Sequence, residues 1–147
     1  MMANLDSFYE RWTPRVLSIL RIITAFLFMA HGAQKVFGWL APPGMTQPPL
    51  LSQYGIGGVL EFFGGLLVLL GLFTRPVSFI LSGMMAVAYF QSHAPMGFWP
   101  ILNRGELAAL YSFIFLFLAV AGGGDWSLDR ILRRDATPRV TSAHGRV

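Results

Sequence analysis

The sequence predicts an all-α membrane protein, a four-transmembrane-helix bundle with both termini in the cytoplasm. Three observations carry the prediction: an apolar composition, four apolar segments of spanning length, and a one-sided distribution of basic residues. Of 147 residues, 54% are hydrophobic and 12% charged, and the mean hydropathy is +0.57. A soluble domain carries about 25% charged residues, roughly twice what this chain offers an aqueous surface. Intrinsic disorder is excluded and an ordinary soluble enzyme disfavoured. The absence of cysteine removes disulfides, thiol nucleophiles and iron–sulfur ligation together.

A bilayer core about 30 Å thick needs about 20 mostly apolar residues in a helix. The first such segment runs over residues 16–40, with 22–30 as its uninterrupted apolar centre. The following stretch, Ala41-Pro42-Pro43-Gly44 through Pro48-Pro49, cannot continue a helix. A second segment covers 56–73 and closes at Thr74-Arg75-Pro76, where Arg75 and Pro76 are expected to form a tight turn. The third covers 77–93 and ends at Ala94-Pro95; the fourth begins near Gly105 and stops at Gly122-Gly123-Gly124. The residues after Asp129 read as a polar, mobile basic tail.

With four spans, both termini and the loop between the second and third spans share one side. That side holds Arg11, Arg15, Arg21, Arg75, Arg130, Arg133, Arg134, Arg139 and Arg146, nine of the eleven basic residues, leaving Lys35 and Arg104 opposite. The positive-inside rule places the richer side in the cytoplasm. The net charge of +4 is therefore a topology signal beside anionic lipid rather than a nucleic-acid footprint. Trp12 and Trp126 fall at the cytoplasmic boundary, Trp39 and Trp99 at the outer one, as an aromatic belt requires. No small-residue cleavage site follows the first apolar run, which argues against a signal peptide.

Ionisable residues inside spans are costly and are functional candidates by default. Here they are His31, Lys35, Glu61, His93 and Glu106. Rise along a helix sets their heights: Glu61 is about 21 Å from Arg75, His93 about 25 Å from Pro76 and Lys35 about 21 Å from Arg21. Glu106 is about 28 Å from Asp125. All five therefore share the outer third of the bilayer, on four different helices. His31 and Lys35 share a face at i,i+4 with Gln34 beside them. Gly64-Gly65 after Glu61-Phe62-Phe63 would admit a close neighbouring helix. Plainer readings exist: Lys35 can snorkel, Glu106 can form a capping box with Asn103, and His93 can be an interfacial histidine. His31 and Glu61 lie more than a turn inside and resist such readings. Glu61 is expected either to pair with His31 or Lys35 or to carry a proton.

Three chemistries fit such a cluster. Quinone or quinol chemistry needs hydrogen-bonding groups and a proton path at membrane level, which histidine and glutamate supply. A haem or metal site is disfavoured because no Glu-x-x-His pair and no short His spacing occurs. The third is polar glue between helices in a small subunit docked on a larger partner. The chain lacks a flavin, nicotinamide or cysteine motif, so redox chemistry would need a partner as electron source.

The stretches Ala30-His31-Gly32-Ala33-Gln34-Lys35, Glu61-Phe62-Phe63-Gly64-Gly65-Leu66 and Leu70-Gly71-Leu72-Phe73-Thr74-Arg75 resemble the DoxX family of small four-helix bacterial membrane proteins. So do His93 with Gly97-Phe98, Gly105-Glu106 and Gly124-Asp125-Trp126-Ser127-Leu128-Asp129. The resemblance covers about residues 20–130, in order. It implies a cytoplasmic segment over 1–15, a DoxX-like transmembrane domain over 16–129 and a basic cytoplasmic tail over 130–147. It further implies a multi-pass protein of the bacterial inner membrane, linked to quinol oxidation, to hydroquinone and oxidative-stress responses, or to an accessory role in an oxidoreductase complex. On this reading His31 and Glu61 are the catalytic candidates, and Lys35, Gln34, His93 and Glu106 bind the substrate. The partners would be the lipid bilayer, other electron-transfer subunits and a second copy of the chain, with no nucleic acid.

Overall fold

The computed structural model describes residues 2–136, and among these it is entirely helical and turn, without a strand. Helix α1 spans Met2–Phe37, 36 residues or about 54 Å of rise, well beyond a bilayer core. It runs through Pro14, so residues 2–15 continue directly into the apolar part of the same helix. A helix-free stretch over residues 38–52 follows, as its prolines require.

The second rod is continuous from Gln53 to Leu70 but composite: α2 (Gln53–Val59), a π turn (Leu60–Gly64) and α3 (Gly65–Leu70). It stops at Gly71 in the left-handed region, where a glycine meets no Cβ penalty. The third rod is α4 (Thr74–Ala88) extended by a second π turn (Tyr89–His93). The chain reversal therefore falls at Gly71-Leu72-Phe73, and Arg75 and Pro76 lie in the first turn of α4 rather than in a turn of their own. Pro76 is tolerated there because a first-turn amide has no helical partner to lose. After a 3-10 turn (Ala94–Met96) and the short α5 (Pro100–Asn103), α6 runs over Glu106–Ala121 and ends at Gly122. The start of the basic tail is ordered helix, α7 (Leu128–Ala136). The side chains of Arg134, Arg139 and Arg146 lie outside the described residues.

Packing pairs α1 with the α2–α3 rod and α4 with α6. Glycine sets the first contact: a Cβ on Gly32 would lie 2.4 Å from the Phe62 nitrogen and 2.7 Å from the Gly58 oxygen. Only backbone fits there. Gly65 meets Met29 and Ala25 of α1 in the same way, the close approach expected of this glycine pair. In the second contact Ser82 donates to the Ser112 carbonyl at 2.8 Å and Ser112 to the Ser82 carbonyl at 3.0 Å. Phe28, Tyr111 and Phe115 close the core between the pairs, with Phe28 centroids 5.0 and 4.8 Å from the other two.

Outside that core the rods turn apolar side chains outward. Phe26, Phe79 and Phe113 are 62%, 67% and 71% exposed. A water-soluble monomer does not present so continuous an apolar surface. Two rods are long and apolar enough to cross a bilayer on those grounds alone, over Leu5–Phe37 and Gln53–Leu70.

At one end of the bundle three helix termini are capped by side chains from distant parts of the chain. Arg21, 0% exposed, donates through Nη1 to the Val68 and Leu69 carbonyls at the end of α3, both at 2.5 Å. Its Nε donates to Gly123 O at 2.8 Å and Nη2 to Trp126 O at 2.7 Å. Arg75 donates to Val120 O near the end of α6 at 2.5 Å. Asp129 accepts from the Phe73 and Thr74 amides at the start of α4, both at 2.8 Å. Cations at C-termini and an anion at an N-terminus match the helix dipoles. Arg21 is thus an interior group, not the interfacial marker its place in the sequence suggested.

Replacing Arg21 by Leu strands four carbonyls, at about 1–3 kcal/mol for each acceptor left buried. The variant is expected to lose at least about 3 kcal/mol of stability, read as a fall in detergent melting temperature, whereas Arg11→Leu on the exposed start of α1 leaves it within error. Asp129 predicts a pH dependence. Burial would push its carboxyl up, but the Thr74 and Phe73 amides and the Arg133 charge outweigh it and hold the carboxyl below its ordinary range. Its contribution is therefore complete above the unfolded carboxylate value of about 3.9 and is lost as pH falls from there through the lower folded value. Asp129→Asn is expected to flatten the melting-temperature profile in that acid window and lower it at neutral pH.

Candidate functional site

At the opposite end lies a cavity of about 330 Å³ between the four rods, within the size range of small-molecule sites. Phe28, Met84, Met85, Leu107 and Ala108 form its apolar wall, and His31, Lys35, Glu61, His93, Arg104 and Tyr111 supply polar groups. Each of the four rods therefore contributes at least one of them.

Local structure explains the convergence. Glu61 sits in the π turn Leu60–Gly64 and His93 in the π turn Tyr89–His93. Such widened turns recur at functional sites because they rotate a side chain out of α-helical register. Gly57 and Gly58 precede the first of them, and a Cβ on Gly58 would strike Lys35 Cβ at 2.7 Å. The missing side chain lets Lys35 lie against the second rod.

Lys35 Nζ and Glu61 Oε1 form an ion pair at 2.6 Å, their side chains 28% and 7% exposed. Of the expectations for Glu61, pairing with Lys35 is the one realised. Its other oxygen, Oε2, is buried and has no hydrogen-bond donor among the described residues. The His31 ring stands edge-on to Tyr111, with centroids 6.3 Å apart. His93 stacks on Tyr89 at 6.3 Å and its Nδ1 lies 3.0 Å from Asn103 O. Asn103, 1% exposed, holds the loop after His93 by donating to Gly97 O at 2.6 Å and Tyr89 Oη at 3.2 Å. At the mouth Gln53 bonds Gln91, and Tyr54 Oη lies 3.3 Å from Ser92 Oγ.

Four of the six residues singled out in the sequence, His31, Lys35, Glu61 and His93, line this one cavity. The other two do not. Gln34 donates to Leu40 O at 2.9 Å and ties off the end of α1. Glu106 is exposed at the start of α6, where the helical phase sends Leu107, Ala108 and Tyr111 inward instead. Nor does Glu106 form the anticipated capping box. Arg104 takes a left-handed conformation, α6 begins only after it, and Asn103 Oδ1 accepts from the Gly105 amide at 2.8 Å. Arg104 and Tyr111 inside the cavity, and Gln53, Tyr54 and Ser92 in its lining, are polar residues sequence reasoning missed. Arg104 was visible as one of two basic residues on the outer side, but Tyr111 looked like any aromatic of an apolar helix. Among the described residues, no group of three or more His, Asp or Glu converges as metal ligands.

A DoxX family profile matches residues 16–94, and the chain belongs to the DoxX family. An uncharacterized protein of Haemophilus influenzae is 44% identical over 130 residues, covering 82% of this chain and 92% of the relative. An uncharacterized membrane protein of Mycobacterium tuberculosis is 32% identical over 145 residues, covering 84% and 85%. The inner membrane protein YqjF of Escherichia coli is 28% identical over 127 residues, covering 79% and 91%. No solved structure matches the chain. Together with the outward-facing apolar surface, the family places the chain in the bacterial inner membrane as a multi-pass protein.

Lys35 and Glu61 are each other's compensation, which predicts a strongly coupled double-mutant cycle. Lys35→Met leaves the Glu61 carboxylate buried without its cation and is expected to cost about 2–4 kcal/mol, at the low side of a broken buried pair because Lys35 keeps some exposure. Adding Glu61→Gln to Lys35→Met is expected to recover at least half of that in a thermal-melt comparison of the single and double variants. Simple addition of the two losses would contradict the pairing.

Proposed function

We propose that this DoxX protein is a quinone-linked subunit of a membrane oxidoreductase, its four rods spanning the bilayer with both termini in the cytoplasm and the cavity opening in the outer leaflet. One observation supports the reading above others: His31, Lys35, Glu61 and His93 from three rods meet Arg104 and Tyr111 in a cavity that has an apolar wall of Phe28, Met84, Met85, Leu107 and Ala108. A quinone asks for this combination, flat apolar walls for the ring and hydrogen-bonding groups at the carbonyls. In the proposed reaction a quinol bound here gives two protons to the site and two electrons to a redox centre on a partner subunit. His31 and Glu61 receive the protons, imidazole and carboxylate being side chains that serve as proton acceptors in general acid–base chemistry. Lys35, His93 and Arg104 orient the ring oxygens, and the apolar wall excludes water.

The test uses membranes carrying the full chain and its partners. Glu61→Gln keeps size and hydrogen bonding but cannot titrate. Under the proposal it inserts at wild-type level and loses quinol-dependent turnover by about 10²-fold or more, while lipid extraction of the purified wild type yields bound quinone. Wild-type turnover with unchanged or raised melting temperature in Glu61→Gln overturns the proposal. That result would favour the alternative, a non-catalytic accessory or structural subunit of a respiratory or photosynthetic complex, for which the Lys35–Glu61 pair would only join α1 to the second rod.

A further inference from the structure

The end of the bundle remote from the quinone cavity holds a second cleft, of about 480 Å³, between the start of α4, the end of α6, α7 and the Pro14 region of α1. Its character is different. Pro14, Leu17 and Ala121 give it an apolar side, and Arg75, Arg130 and Arg133 bring three guanidinium groups. Two carboxylates, Asp125 and Asp129, line it as well, so the cleft carries one positive charge in excess. Both carboxylates are already engaged, Asp129 by the Phe73 and Thr74 amides with Arg133 nearby, and Asp125 by Arg130, so Arg130 and Arg133 each also face a carboxylate. Arg75 spends one N–H on Val120 O, out of the five a guanidinium offers. The Arg130 side chain remains 41% exposed.

The surroundings indicate what such a cleft faces. Trp126 and Trp12 are 55% and 44% exposed at this end of the bundle, and exposed tryptophans sit at headgroup level in membrane proteins. On α7, Ile131 and Leu132 are 56% and 57% exposed, an unpaired apolar edge beside the arginines. A soluble anion would use only the guanidiniums. A phospholipid would use both parts, its phosphate among the arginines and the top of its acyl chains along the apolar side.

We propose that this cleft is a binding site for the phosphate headgroup of an anionic phospholipid. The site rests on the four-span reading only for its leaflet: with both termini inside, it holds lipid of the cytoplasmic leaflet. Arg130 and Arg133 reach the phosphate from α7, and Arg75 reaches it from α4. Binding therefore clamps α7 to the ends of α4 and α6.

The test is native mass spectrometry of the full chain in detergent with equal amounts of phosphatidylglycerol and phosphatidylcholine. Phosphatidylglycerol adducts are expected to dominate, to fall about fivefold in Arg133→Gln, and to recover in Arg133→Lys, which restores the charge. Arg130→Gln provides a second variant, and circular dichroism checks that each stays folded. Equal retention of the two lipids, or an undiminished preference in both folded glutamine variants, overturns the proposal. Stabilisation by inorganic phosphate without any preference for phosphatidylglycerol overturns it in favour of a soluble anion. Detergent has no sides and the assay contains no quinone, so failure here is distinguishable from failure of the topology or of the quinone site.

Discussion

Arg21 is the interaction on which the arrangement of the helices turns. Its guanidinium is wholly buried and meets four backbone carbonyls, two on α3 and two in the segment after α6. A buried cation without a partner is prohibitively costly, so it stays buried only while those carbonyls are in place. The carbonyls in turn are helix-end and loop acceptors that would otherwise lack donors. Each side makes the other affordable in an apolar interior, and the contact joins three segments 47 to 105 residues apart in the chain. Gly71 makes room for it: a Cβ there would come within 3.1 Å of Arg21 Cζ and 2.5 Å of Ser127 Cβ.

Away from that anchored end lies the cavity lined by His31, Lys35, Glu61 and His93, and glycine sets the helix contacts beside it. Between α1 and the second rod Gly32, Gly58 and Gly65 permit backbone contact, as small residues do wherever helices associate without a hydrophobic driving force. At this same level the π turn over Leu60–Gly64, and in the third rod the one over Tyr89–His93, change the phase of two rods at the cavity. Close packing against α1 and altered register in the two π turns accompany a space lined by polar groups. The Lys35–Glu61 pair then lies across the α1 seam, at once a link between helices and a feature of the cavity wall.

The two clefts divide the molecule chemically. One has histidines, tyrosine, Arg104 and the Lys35–Glu61 ion pair beside an apolar wall. The other has arginines in excess of carboxylates beside exposed aliphatic side chains, suited to a fixed anion at an interface. The core ring cluster of Phe28, Tyr111 and Phe115 lies between, and Tyr111 belongs to both the core and the first cavity.

Several features were legible without any structure because they depend on local chemistry alone. Low charge and long apolar runs dictate a membrane protein, the prolines over residues 41–49 forbid helix, and Gly122 stops α6. Helical rise by itself put His31, Lys35, Glu61 and His93 at one level, since height along a rod depends only on residue count. Which way each side chain faces depends on rotation as well, and two π turns shift that phase beyond what a regular period can follow. On the regular helix α6, rotation alone left Glu106 at the level but not in the direction of the cavity, and Tyr111 took the inward position. The role of Arg21 was equally hidden. In the sequence it is one more arginine near a span end, where interfacial arginines are ordinary, and only the folding of residues 68, 69, 123 and 126 to its side supplies the carbonyls that hold it inside. Composition and rise thus determined the environment and the heights; rotation and long-range capping, which require all four rods in place, decided the site.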